Sequence, residues 1–305
     1  MRKAVLDVGS NSVLLVVEEK TENGWKPVCE ETRVTSLGEG TKESGVLSEM
    51  AMTRTLAGIQ DLWLIAKTSG AEDIRAAATM AARIASNTSD FLARAEKQGT
   101  PVFVLSGEDE AELGFRAIAN DPTFSTAPRL TIVDVGGQST EIVTADRVDS
   151  EWIVRFRKSY PLGTLGLRGT ILKPERLEIP ELLRGVAEID DVIGLCYLPG
   201  QCGEVVALGA TGTNLVSIRD RMRHWEPDRV HGAELDYEEI SKAVGWMCRM
   251  SDAERAEIVG IEPGREKTLH IGSLILERAL HACRATGCRV SVRGWRHAML
   301  ESAEV

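Results

Sequence analysis

The chain writes one short pattern twice. "KAVLDVGSNSVLLVV" begins at Lys3, and "TIVDVGGQSTEIV" begins at Thr131. Each copy has an apolar run ending in an acid, one further apolar residue, a glycine, a few small polar residues and a second apolar run. Asp7 and Asp134 hold the same place in the two copies. Short apolar runs broken by Gly and polar residues predict two strands joined by a tight turn. One such turn would mean little, since Asp and Gly are common turn residues. Two in matching register predict a duplicated α/β domain with the same strand–turn–strand at the head of each copy.

Such a turn suits an anion. Glycine lets the backbone come close to a ligand, and successive N–H groups form an anion-binding concavity. Candidate phosphate contacts are Ser10, Asn11 and Ser12 in the first copy, and Gly136, Gly137, Gln138, Ser139 and Thr140 in the second. Two such turns facing each other across a central cleft would grip one phosphate chain from both sides. Asp7 and Asp134 would then hold a divalent cation or a water, because unpaired carboxylates beside a phosphate would repel it. A third loop, "VVALGATGTNL" from Val205, is read as a strand, a glycine-rich turn and a helix start. That is the layout of a phosphate-binding helix N-terminus, and its candidates are Gly209, Thr211, Gly212 and Thr213. It lacks the Lys of a Walker A loop and is not GxGxxG.

The rest of the pattern alternates strands and helices. Strands are expected at Ala4–Leu6, Val13–Val17, Ile74–Ala78 and Val102–Leu105, then at Leu130–Val133, Glu141–Thr144, Trp152–Phe156, Val205–Leu208 and Arg289–Val292. Helices are expected at Ser48–Lys67, at Ser89–Lys97 and after Ser106, then at Asn214–Arg223, Tyr237–Met250 and Lys267–Arg284. A short helix is expected at the C-terminus. The turn-rich "NDPTFSTAP" from Asn120 marks a domain boundary. The expected lobes are therefore residues 1–124 and 125–295, with a helix at about 296–305 packing back on the first.

Composition narrows the function. Apolar residues make up 43% of the 305, charged residues 27%, and the net charge is −10. That is a globular profile and argues against general nucleic-acid binding, which favours a basic surface. No run approaches a membrane span, and "MRK" leads straight into a strand pattern, so the expected setting is the cytoplasm, away from membranes. The six cysteines form no CxxC pair and, with five scattered histidines, show no zinc spacing, so reduced structural thiols are expected.

The ordered loops resemble those of the actin-like ATPase superfamily, and more closely the exopolyphosphatase / guanosine pentaphosphate phosphatase (Ppx/GppA) family. The resemblance rests on "LDVGSNSVLLVV", "IRAAATMAARIASN" from Ile74, "LSGEDEAELGFRA" from Leu105, "IVDVGGQSTEIV" and "ALGATGTNL", with fainter echoes such as "YPLGTLGL" at Tyr160. It implies a two-lobed, ribonuclease H-like fold and hydrolysis of a terminal phosphate from inorganic polyphosphate or guanosine pentaphosphate. By position, Glu110 takes the family's general base and Arg83 a substrate-phosphate contact. Asp134 and Glu141 take the acidic pair tied to the metal and water, with Asp7 a further metal ligand and Mg²⁺ or Mn²⁺ the cofactor. Gln138 stands where the family usually has a third glycine. The chain is read as the short two-domain form, which favours short polyphosphate, with a homodimer as an open possibility. An ATP-dependent kinase, a filament protein and a non-catalytic polyphosphate or alarmone sensor of the same fold stay open on sequence.

Overall fold

The computed structural model describes residues 1–22, 24–194 and 202–302; Cys196 lies outside them. The chain forms two compact units, one of residues 1–113 together with those from Trp295 onward, the other Gly114–Gly294. This division lies inside the helix Gly107–Ala119, whereas the sequence expectation puts the boundary in the turn-rich stretch that follows it.

The first unit holds strands β1 (Arg2–Val8), β2 (Ser12–Thr21), β3 (Gly24–Val34), β4 (Asp73–Ala78) and β5 (Phe103–Val104) in the order β3-β2-β1-β4-β5. β1 runs antiparallel to β2 and parallel to β4. Leu6, Val8, Leu15 and Val17 bury against the helix Glu49–Thr68. That helix starts where Ser48 accepts the Ala51 N–H at 3.1 Å, an N-cap that satisfies one orphan donor. Met52, Leu56, Ile59, Leu62, Trp63 and Ala66 form its buried stripe at helical spacing. The C-terminal helix Trp295–Glu301 packs on β1 and β2. Lys3 Nζ donates to the Ser302 carbonyl at 3.4 Å.

The second unit holds β6 (Arg129–Val135), β7 (Thr140–Val148), β8 (Glu151–Tyr160), β9 (Glu204–Leu208), β10 (Glu234–Asp236) and β11 (Gly287–Val290) in the order β10-β11-β9-β6-β7-β8. β6–β7–β8 repeat the antiparallel run of β1–β2–β3, and β9 repeats the parallel partner β4. Duplication reaches single residues. Val8 pairs with Val13, and Val135 with Thr140, at the same offset from the two aspartates. The β2–β3 ladder slips between Val17 and Glu18, and the β7–β8 ladder between Thr144 and Ala145. Those two slips also fall at equal distances from Asp7 and Asp134. A bulge kinks and twists a strand pair, so both copies carry the same kink.

One expected helix shifts, and two elements were not expected. The helix after the third loop spans Ala210–Arg219, not Asn214–Arg223. Gly209, with φ 77°, turns the chain sharply enough for the helix to begin at once. Strand β3 and the helix Ile179–Ile193 lie where the sequence reading has no element. No helix among the described residues is long and apolar enough to cross a membrane.

Candidate active site

In the first unit the β1–β2 turn is tied down by its own backbone. The Gly9 N–H donates to the Ser12 carbonyl at 2.9 Å, Thr35 and Ser36 N–H groups donate to the Asn11 carbonyl, and Gly38 N–H donates to that of Ser10. Ser10 Oγ accepts the Ala81 N–H at 3.1 Å. Ser10, Asn11 and Ser12 are all buried. Asn11 Nδ2 and Ser12 Oγ have no hydrogen-bond partner among the described residues. A buried donor left unsatisfied costs about 1–3 kcal/mol, and a phosphate oxygen would meet that need.

Arg83 and Glu110 meet in the same unit. Arg83 follows β4 on the helix Met80–Ile84, and Glu110 sits in the first turn of the helix Gly107–Ala119. Ser106 starts that turn: its Oγ accepts the Asp109 N–H at 3.0 Å and its carbonyl accepts the Glu110 N–H at 2.9 Å. Arg83 Nη1 lies 2.7 Å from Glu110 Oε2. Burial raises the Glu110 pKa above the usual carboxylate value, while the Arg83 charge and hydrogen bond pull against it. A raised carboxyl is a stronger proton acceptor once ionised.

In the second unit Asp134 ends β6 and Glu141 begins β7, directly opposite each other in the ladder. Residues so placed share one face of the sheet with Cβ atoms about 4.5–5.5 Å apart. Two like charges at that spacing repel unless a cation or proton joins them. In the first copy the residue opposite Asp7 is Leu14, so Asp7 has no such acidic neighbour across the ladder. Ser159 Oγ donates to Glu141 Oε1 at 2.6 Å.

The second turn repeats the first, with Gly136 N–H donating to the Ser139 carbonyl at 2.9 Å. It is further held by the chain that leaves β8. Leu165 N–H donates to the Gly137 carbonyl at 2.7 Å, Thr164 N–H to that of Gly136 at 3.1 Å, and Thr140 Oγ1 to that of Leu162 at 2.7 Å. A Cβ on Gly163 would fall 2.4 Å from Gln138 N. The "YPLGTLGL" stretch is thus a support for the loop, a role its sequence shows only through its glycine.

The third loop contributes unevenly. A Cβ on Gly209 would lie 3.0 Å from Asp134 Oδ1, so the loop passes against that carboxylate. Thr211 and Gly212 are buried in the first turn of their helix, where Gly212 packs against Ala207 and Val290. Thr213 Oγ1 donates to the Ala210 carbonyl at 3.3 Å.

The donor set suits Mg²⁺. No group of three or more His, Cys, Asp or Glu able to hold an ion occurs among the described residues. Mg²⁺ uses one or two carboxylates, with waters and substrate phosphates for the rest; Asp134 and Glu141 are such a pair.

Duplicated α/β units, each headed by a glycine turn beside an aspartate, define a protein of the actin-like ATPase fold. The Ppx/GppA phosphatase family matches residues 16–304, and the chain belongs to that family. Exopolyphosphatase 1 of Mycobacterium tuberculosis is 30% identical over 288 residues, covering 92% of this chain and 82% of that protein. The Mycobacterium leprae counterpart is 31% identical, over 92% and 83%. The crystal structure of the Aquifex aeolicus family member superposes with a TM-score of 0.80 at 28% identity, over 99% of this chain and 96% of that one. The Cytophaga hutchinsonii exopolyphosphatase, 20% identical and covering 98% and 96%, shares the fold with a TM-score of 0.86. The chain is a phosphoanhydride hydrolase of the Ppx/GppA type.

Proposed function

We propose that the protein is an exopolyphosphatase that removes the terminal phosphate of inorganic polyphosphate, with short chains preferred. The observation that carries this is the facing pair Asp134 and Glu141 beside a glycine turn. Related proteins named exopolyphosphatase support the substrate class. Phosphoryl transfer asks the protein chiefly for position and charge compensation. Backbone N–H groups and hydroxyls of the turns at Ser10–Ser12 and Gly136–Thr140 bind phosphate oxygens. Asp134 and Glu141 hold Mg²⁺ or Mn²⁺, which when bound neutralises phosphate charge. Asp7 offers a further carboxylate beside the first turn.

Glu110 accepts the proton of the attacking water. Its burial keeps competing water away and its raised pKa makes it a stronger base, and Arg83 holds its Oε2 at 2.7 Å. Phosphate release from short and long polyphosphate and from guanosine pentaphosphate, each with Mg²⁺ and with excess chelator, tests this reading. Metal-dependent release from polyphosphate is expected. Faster release from guanosine pentaphosphate would make the nucleotide the substrate, and undiminished release in chelator would remove the cation.

A further inference from the structure

The two copies differ at one row across their strands. In the first, Asp7, Leu14 and Thr32 lie side by side on β1, β2 and β3. At the same offsets in the second lie Asp134, Glu141 and Ser159 on β6, β7 and β8. Both rows begin with an aspartate and end with a hydroxyl. Only the second has a carboxylate between them for the hydroxyl to hold.

We propose that Ser159 is a positioning residue that fixes the Glu141 carboxylate for cation binding. The proposal rests on the reading that Asp134 and Glu141 hold the cation. Glu141 is 2% exposed, and a buried carboxylate is tolerable only when hydrogen-bonded or paired. The 2.6 Å contact from Ser159 Oγ is in the range of charge-assisted O–H···O⁻ bonds. Serine has one hydroxyl proton, so giving it to Oε1 commits that oxygen and sets the plane of the carboxylate. β8 is itself anchored next door. Tyr160 is buried, and Thr140 Oγ1 donates to the Leu162 carbonyl at 2.7 Å, tying the chain beyond β8 to the start of β7. Groups that hydrogen-bond a metal-ligating carboxylate are typically worth about 10–100-fold in metal affinity.

The test is direct binding of Mn²⁺ to the whole protein without substrate, followed by electron paramagnetic resonance. The variants are Ser159→Thr, Ser159→Val and Glu141→Gln. Thr and Val have nearly the same shape and both suit a strand, so they differ in the hydroxyl alone. Circular dichroism in chelator checks that each is folded. Expected are near-native binding for Ser159→Thr, binding weakened about 10–100-fold for Ser159→Val, and the greatest loss for Glu141→Gln. If Ser159→Val binds as Ser159→Thr does while Glu141→Gln is impaired, the role of Ser159 is overturned and the cation reading stands. If Glu141→Gln binds like the unaltered protein, the cation reading falls and takes this inference with it.

Discussion

Arg83 Nη1 stands 2.7 Å from Glu110 Oε2, with the two side chains only 16% and 11% exposed. The same Arg83 nitrogen donates to the Leu105 carbonyl at 2.9 Å, so the guanidinium is braced on both sides. Burial pushes the Glu110 pKa up, and the Arg83 charge and hydrogen bond push it down. As the proposed base, Glu110 would work only as a carboxylate, so kcat should fall as pH drops through this pKa. Arg83→Met removes both downward influences. The acid limb of its kcat profile should therefore move to higher pH, alongside any loss of phosphate binding. A limb that stays in place would show that another group sets it.

Glu110→Gln keeps the size of the side chain and removes the proposed base. General-base assistance is worth about 10²–10⁴ in rate, and the loss should appear in kcat with KM little changed. Glu112→Gln, two residues on in the same helix, points to a different side and should keep most activity. Steady-state kinetics on polyphosphate decide. Near-native kcat for Glu110→Gln would move the base elsewhere, with Asp134 and Glu141 the next to test.

Gly163→Ala should damage the site without touching a charged group. Its Cβ would sit 2.4 Å from both Gln138 N and Gly137 C, which are backbone and cannot swing aside. The loop that carries Gly136–Thr140 would have to shift. A displacement of about 1 Å at a reacting centre can cost roughly 10²-fold in rate. A loss of that order in kcat/KM, with a folded circular dichroism spectrum, is the expected result. Native kinetics would show that the loop's position is not critical.

The repeated turns were legible because their signal is local. Glycine, aspartate and apolar alternation lie within a few residues of one another, and the structure gives both turns the same Gly-to-Ser backbone bond. What escaped depends on contacts distant in sequence. β3 contains Pro27 and no clean alternation, and is a strand because β2 pairs with it along nearly its whole length. A Pro is tolerated there because β3 is the sheet edge and bulged. Ser159 looks like any exposed-strand serine until the register sets it opposite Glu141. The start of the helix at Ala210 was hidden because a run of Gly and Thr reads as a turn, while the fold needs only Gly209 to turn.

Arg255 should be a stability residue. It is fully buried, and its guanidinium donates to the carbonyls of Glu266, Glu175, Met247 and Met250 while pairing with Asp252. Arg255→Met would leave those four carbonyls without their donor, while Asp252 would keep only Arg168 at 2.9 Å. A buried acceptor left without its donor typically costs about 1–3 kcal/mol. Urea unfolding should show a lower midpoint, and a change under about 1 kcal/mol would mean that water replaces the guanidinium without penalty.

His270 should couple folding to pH. It is fully buried, and neither ring nitrogen has a hydrogen-bond partner among the described residues. Burial first, then the charges of Arg255 and Arg168, hold its pKa well below the ordinary value of 6.5. The native ring therefore stays neutral where the unfolded ring takes a proton. Below about pH 6.5 the unfolded chain binds more protons than the native one, so stability falls as pH falls. The slope from this group approaches about 1.4 kcal/mol per pH unit until the folded pKa is reached. His270→Leu removes the titration. Near neutral pH it should cost little, because the ring nitrogens it deletes are unsatisfied. Between about pH 7.5 and about pH 5 the unaltered protein should lose more stability than the variant in urea unfolding. Equal losses in the two would mean that His270 is protonated in the folded protein with a partner to receive the charge.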